Sequence, residues 1–121
     1  MEGLSLSVSL LKTCCTQSRI VRTVQRLIGY NRSHHEKAVH DFDKAIQIDS
    51  SYELAYIGRG LSYIELGENQ KAINDYTKAI ELDSDNSLTY RSRAVVYRSL
   101  RQTANADADD AKACSLDSKY C

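Results

Sequence analysis

The sequence repeats itself every 34 residues, and a period of that length constrains the fold more than any other feature. It marks stacked copies of one small unit, none of which can bury its own apolar face without a neighbour. Ala38, Ala72 and Ala106 stand 34 apart, as do Ala45, Ala79 and Ala113, and Lys44, Lys78 and Lys112. The close of each unit recurs as Asp49-Ser50, Asp83-Ser84 and Asp117-Ser118, preceded by Ile48, Leu82 and Leu116. The earlier half appears in two copies, as Leu54/Leu88, Tyr56/Tyr90, Arg59/Arg93, Gly60/Ala94, Tyr63/Tyr97 and Leu66/Leu100.

Inside the period the apolar residues keep helical spacing. Leu54, Ile57, Leu61 and Ile64 form one stripe, and Ala72, Tyr76, Ala79 and Ile80 form another beyond Gly67, which supplies the break. Two antiparallel helices per unit follow, and residues 34–118 are predicted to form five helices and no strand. Gly60, Ala72 and Ala79 are small where helix axes must approach, with Tyr56, Tyr63 and Tyr76 to fill the space between. Ser50-Ser51-Tyr52-Glu53 has the spacing of a capping box, Asn86 is placed to cap the helix that follows it, and the serines at 50, 84 and 118 are expected to cap in the same way.

These units resemble the tetratricopeptide repeat. In residues 53–86 an aromatic stands at the fourth place, Gly at the eighth, Tyr at the eleventh, Ala at the twentieth, Tyr at the twenty-fourth and Ala at the twenty-seventh. Residues 87–120 follow the pattern with Asp110 for the packing aromatic and Arg101 for the turn glycine. Residues 19–52 match in their second half through Ala38, Phe42 and Ala45, while Arg22, Arg26 and Gly29 depart from it. The resemblance implies an all-α fold, a right-handed α-α superhelix (solenoid) of about two and a half to three helix-turn-helix units. Residues 34–121 are expected to carry the array, and residues 1–33 to be a divergent basic segment, either a degenerate first helix or a targeting segment. The run from Asn105 to Asp110 reads as a polar cap on the array.

Composition narrows the function classes. The 16 basic and 16 acidic side chains cancel over the chain, but Lys12, Arg19, Arg22, Arg26 and Arg32 against Glu2 leave residues 1–33 at +4 and the remainder at −4. No whole-molecule field draws the protein to nucleic acid, and no nucleic-acid partner is expected; the arginines of the basic head have Tyr30 alone as aromatic company. No apolar run reaches the length of a membrane span. A cytoplasmic location is expected, with organelle import through residues 1–33 as the alternative, since that segment is rich in serine and arginine. Cys14, Cys15, Cys114 and Cys121 lie at the two ends without a C-x-x-C pair and are expected as reduced thiols. A zinc site from Cys14, Cys15, His34 and His35 fits no recurring spacing, so no metal or other cofactor is expected.

Catalytic signatures are lacking. The sequence holds no phosphate-cradling glycine motif, no G-x-S-x-G and no H-E-x-x-H, and His34, His35 and His40 do not share a helical face at i, i+4. A calcium loop at Asp107, Asp109 and Asp110 lacks its glycine and its distal glutamate. The chain is therefore read as a non-enzyme. The resemblance implies instead a concave groove lined by the first helix of each unit, which receives a peptide or helix of a partner protein. Its residues would be Leu54, Ile57, Gly58, Leu61, Ile64 and Glu65 in one unit and Leu88, Arg91, Ser92, Val95, Arg98 and Ser99 in the next. That is an apolar strip with two arginines beside it, suited to a partner with apolar anchors and acidic groups. The carboxylate clamp of family members that hold chaperone tails would fall on Thr23, Leu27, Gly58, Leu88 and Ser92, and none of these is a clamp residue. The competing reading is a structural module that stacks on a second copy through its N-terminal end, a homo-oligomer.

Overall fold

The computed structural model describes residues 31–121, and the chain divides into two units, Met1–Ser33 and His34–Cys121. All the contacts described lie in the second. Arg19, Arg22, Arg26, Cys14, Cys15 and, up to residue 30, the degenerate first helix expected within residues 1–33 fall outside the described residues.

Five helices follow one another among the described residues. The first, α1, covers residues 31–48, and after it come α2 (Glu53–Glu65), α3 (Asn69–Leu82), α4 (Ser87–Ser99) and α5 (Thr103–Leu116), with a single 3-10 turn at Ser118–Tyr120. Among the described residues there is no strand. Within His34–Cys121, helix α2 packs on α3 and α4 on α5, each pair forming one repeat, and α3 against α4 joins the two repeats. The core lies along that joint. Ala72, Ile73, Tyr76 and Val96 are buried together, with Ile57, Tyr63, Ile64, Tyr97 and Leu100 closing over them.

The small residues do what their spacing implies. A Cβ on Gly60 would come within 3.2 Å of the Tyr76 ring, so the absence of a side chain lets α2 approach α3 over that ring. Ala72 and Ala79 are fully buried in the same contact. Tyr76 is itself buried, its hydroxyl without a hydrogen-bond partner among the described residues, and burial pushes that hydroxyl up to about 12.

Both first helices end in the same way. The N–H of Gly67 donates to the carbonyl of Ile64 at 3.0 Å and that of Glu68 to Tyr63 at 2.8 Å. One period later the N–H of Arg101 donates to Arg98 and that of Gln102 to Tyr97, both at 2.9 Å. This paired pattern needs a left-handed residue at its centre, and Gly67 (φ +76°) and Arg101 (φ +59°) both adopt that conformation.

Helix starts depart from expectation. The capping box at Ser50–Glu53 does not form: Tyr52 precedes α2 without a side-chain cap, and Glu53 is already the first helical residue. Asp49 instead holds the turn ahead of α2, accepting from the N–H of Ser51 at 3.0 Å and from its hydroxyl at 2.6 Å. The turn recurs with Asp83 accepting from the N–H of Asp85 at 3.0 Å and Asp117 from that of Lys119 at 3.1 Å. An aspartate carboxylate is charged and has two acceptor oxygens, so it accepts from a turn N–H two residues on more strongly than a serine hydroxyl does. Asn86 does cap α4, accepting from the N–H of Thr89 at 3.4 Å, and its amide donates to Glu53 at 3.0 Å.

The cysteines bring the second departure. Cys114 and Cys121 form a disulfide with Cα atoms 4.7 Å apart, where reduced thiols were expected. The 3-10 turn after α5 folds the chain back far enough to bring two residues separated by 7 positions within bonding range.

Candidate peptide-binding groove

Residues 54, 57, 61 and 64 follow at i, i+3, i+7 and i+10, so they share one side of α2, and residues 88, 91, 95 and 98 do the same on α4. The structure separates these eight by depth. Leu54 is 59% exposed, Leu61 52%, Leu88 55% and Val95 50%. Their spacing within each helix is seven residues, and between the helices 34, so the two pairs occupy matching places. Ile57 and Ile64 lie deeper, packed against the core that the two units share.

The other expected groove residues fall into different roles. Gly58 lies under Phe42 of α1: a Cβ there would sit 2.3 Å from the ring, so Gly58 is the seat of an aromatic from the preceding helix. Glu65 and Ser99 are exposed at the helix ends, with the Ser99 hydroxyl donating back to the Val95 carbonyl at 3.2 Å, and Ser92 is half-buried.

Arg91 and Arg98 do not stand free beside the strip. Arg91 Nη1 donates to Asp110 Oδ1 at 2.6 Å, and Arg98 Nη2 donates to Asp110 Oδ2 and, at 3.4 Å, to Asp107 Oδ1. Partial burial raises the Asp110 carboxyl, but the hydrogen bonds from Arg98 and Arg91 outweigh it and hold the group below the usual carboxylate range. The Asp110 bond in turn raises Arg98. The residue expected as part of a polar cap is thus the partner of both arginines.

A set of buried charges in each unit escaped the reading of the sequence. Arg59 on α2 grips Asp75 on α3 with both edges of its fork, Nε to Oδ2 at 2.8 Å and Nη2 to Oδ1 at 2.6 Å, and its remaining nitrogen reaches back to Asp43 of α1 at 2.7 Å. One period later Arg93 grips Asp109 at 2.8 and 2.7 Å, and its Nη1 reaches back to Thr77 at 3.0 Å. Asp43 and Thr77 occupy the same place in successive units. Each arginine therefore ties its own two helices to the second helix of the unit before, and lies between two tyrosines, Tyr56 and Tyr63 in one case and Tyr90 and Tyr97 in the other. The Asp75 bond raises Arg59 well above its ordinary value. Arg59/Arg93 was visible as a repeated pair and Asp75/Asp109 recurs at the same period, but a shared period alone does not show which residues meet. A shallow pocket of about 200 Å³ opens beside this set, lined by Arg59, Tyr63, Lys71, Asn74 and Asp75.

Comparison with known proteins agrees with this geometry. The family model described as Tetratricopeptide repeat matches residues 54–86, the unit with no departures. The Arabidopsis OM64 TPR domain is 30% identical, with 74% of each chain covered and a TM-score of 0.69. The chain belongs to the tetratricopeptide repeat family. MamA is a second similar structure, 28% identical with a TM-score of 0.69 over 71% of this chain, which spans about half (50%) of MamA. The second TPR domain of Spaghetti (RPAP3), solved bound to an HSP90 peptide, is 24% identical with a TM-score of 0.66 over 69% of this chain and 77% of its own, a likeness of fold alone. No curated protein gives a match. The TPR fold is typically a non-enzymatic protein-interaction module, and among the described residues no helix is long and apolar enough to cross a membrane.

Proposed function

We propose that this TPR array is an adaptor that holds a peptide or helix of a partner protein along α2 and α4, with Leu54, Leu61, Leu88 and Val95 as its apolar contacts. One observation carries the reading. Four large apolar side chains, each half-exposed or more, recur at matching places on the first helices of two successive units. Removing such side chains from water is favourable at roughly 25 cal/mol per Å², and contiguous apolar patches of this kind mark interaction surfaces. Ile57 and Ile64 support the strip from below, so a ligand would meet a floor already packed.

The Cys114–Cys121 disulfide favours a compartment in which thiols are not held reduced.

Leu61→Ser tests the groove. With synthetic amphipathic peptides carrying leucines at i and i+7 as probes, the variant should bind several-fold more weakly than the parent. Its folding free energy should move by no more than about 0.5 kcal/mol, as for an exposed site. Unchanged affinity would remove the groove reading. A loss of about 2 kcal/mol in stability would show instead that Leu61 is covered in the whole chain.

A further inference from the structure

We propose that Asp110 is an internal ligand for Arg91 and Arg98 that keeps the groove from acidic partners and so sets its preference for apolar segments without carboxylates at this edge. The inference rests on the groove reading and deepens it by naming the partner's chemistry.

The place Asp110 occupies is that of Tyr76 one unit earlier, where a buried aromatic packs over Gly60. An aspartate cannot fill that volume and cannot be buried without donors. On α5 it turns instead to the arginines of α4, taking one guanidinium on each oxygen. Its side chain is 18% exposed, whereas those of Arg91 and Arg98 are 43% and 44% exposed. The carboxylate is thus the covered member of the set, and the arginines present their outer N–H groups beside Leu88 and Val95.

Charge decides what that edge accepts. Arg91 and Arg98 are answered by Asp110 and Asp107, so the rim of the strip carries two positive and two negative groups. An incoming carboxylate must displace Asp110 or approach it closely, and like charges side by side on a partly desolvated surface repel. An apolar or amide-bearing segment meets neither cost. The two arginines that look in the sequence like an acidic-peptide site are already engaged by the protein's own carboxylate.

The test uses two synthetic helical peptides that differ only at the positions flanking their i, i+7 leucines, glutamine in one and glutamate in the other, titrated by fluorescence anisotropy against the full chain. The glutamine peptide should bind the parent more tightly. Asp110→Asn keeps the shape and removes the charge, and should raise affinity for the glutamate peptide by about tenfold in low salt while leaving the glutamine peptide unmoved. Arg91→Gln with Arg98→Gln should cancel that gain when added to Asp110→Asn, and alone should weaken the glutamate peptide further, because Asp110 and Asp107 then stand uncompensated. Binding of both peptides with a ratio that Asp110→Asn does not shift would overturn the role of Asp110 and leave the groove standing. So would binding of the glutamate peptide to the parent as tight as that of the glutamine peptide, a comparison that needs no variant. No binding of either peptide to any form would remove the groove and this inference together.

Discussion

Cutting the link between Arg59 and Asp75 should cost more than any surface change, and a double-mutant cycle can apportion it. Arg59→Met removes two charge-assisted hydrogen bonds, at 2.8 and 2.6 Å, and strands Asp75, whose side chain is only 7% exposed. Leaving a buried charge without its partner costs about 3 kcal/mol or more. The third bond adds less than about 1 kcal/mol, because Asp43 is 41% exposed and water can replace the arginine there. Asp75→Leu should cost about 2 kcal/mol, since Arg59 keeps Asp43 and some access to solvent. Combining the two removes both charges, and the double variant should lose only about 2 kcal/mol, well short of the sum, because no ion is then left buried. For an array of this size the Arg59→Met loss corresponds to a fall in Tm of about 15 °C. Urea and thermal denaturation followed by helical circular dichroism would supply all four corners. A coupling below about 0.5 kcal/mol would refute the argument, showing the pair to be worth no more than a surface salt bridge.

Three further outcomes follow from single positions. Arg101→Gly should stabilise by up to about 1 kcal/mol and Gly67→Ala should destabilise by a similar amount, because both sites hold a left-handed backbone that glycine adopts without a Cβ penalty; equal effects of the same sign in thermal melts would contradict this. Tyr76→Phe should be neutral or slightly stabilising, since the hydroxyl it deletes is buried without a partner, and a loss above about 1 kcal/mol would reveal a bond the ring depends on. Iodoacetamide should label Cys114 and Cys121 only after reduction, and reduction should speed hydrogen exchange at Tyr120 and Cys121, whose N–H groups close the turn that the disulfide holds; labelling of both thiols in the untreated protein would exclude the bond.

What could be read without coordinates followed the repeat. A 34-residue period places Gly67 and Arg101, or Gly60 and Ala94, at equivalent positions before any contact is known, and helical spacing then fixes which faces meet. Depth within a face was not readable in that way. Ile57 and Leu61 are both apolar and share one side of α2, yet Ile57 packs on the joint between units while Leu61 is half-exposed, a difference set by where α3 and α4 cross and not by any property of the residues. Gly58 was expected in the groove from its place in the helix; its contact with Phe42, sixteen residues earlier, could not be read from that place. The Cys114–Cys121 bond depended on a three-residue turn that no periodic pattern announces.

Equivalent places that hold different residues are the most informative part of such a chain, because the repeat supplies its own control. At the place shared by Asp43 and Thr77 the substitution changes little: each accepts from the arginine of the following unit, so the demand there is for an oxygen and not for a charge. At the place shared by Tyr76 and Asp110 it changes the chemistry, replacing a buried ring with a carboxylate that redirects two arginines. Packing tolerates the first kind of difference and would select against the second, since an acid in a helix contact lowers stability unless donors meet it. Arg91 and Arg98 are those donors, supplied by the same helix that carries Leu88 and Val95. The co-occurrence of an acid at a core place and its two arginines on α4 ties the stability of the last unit to the charge beside Leu88 and Val95, the surface proposed above to meet a partner.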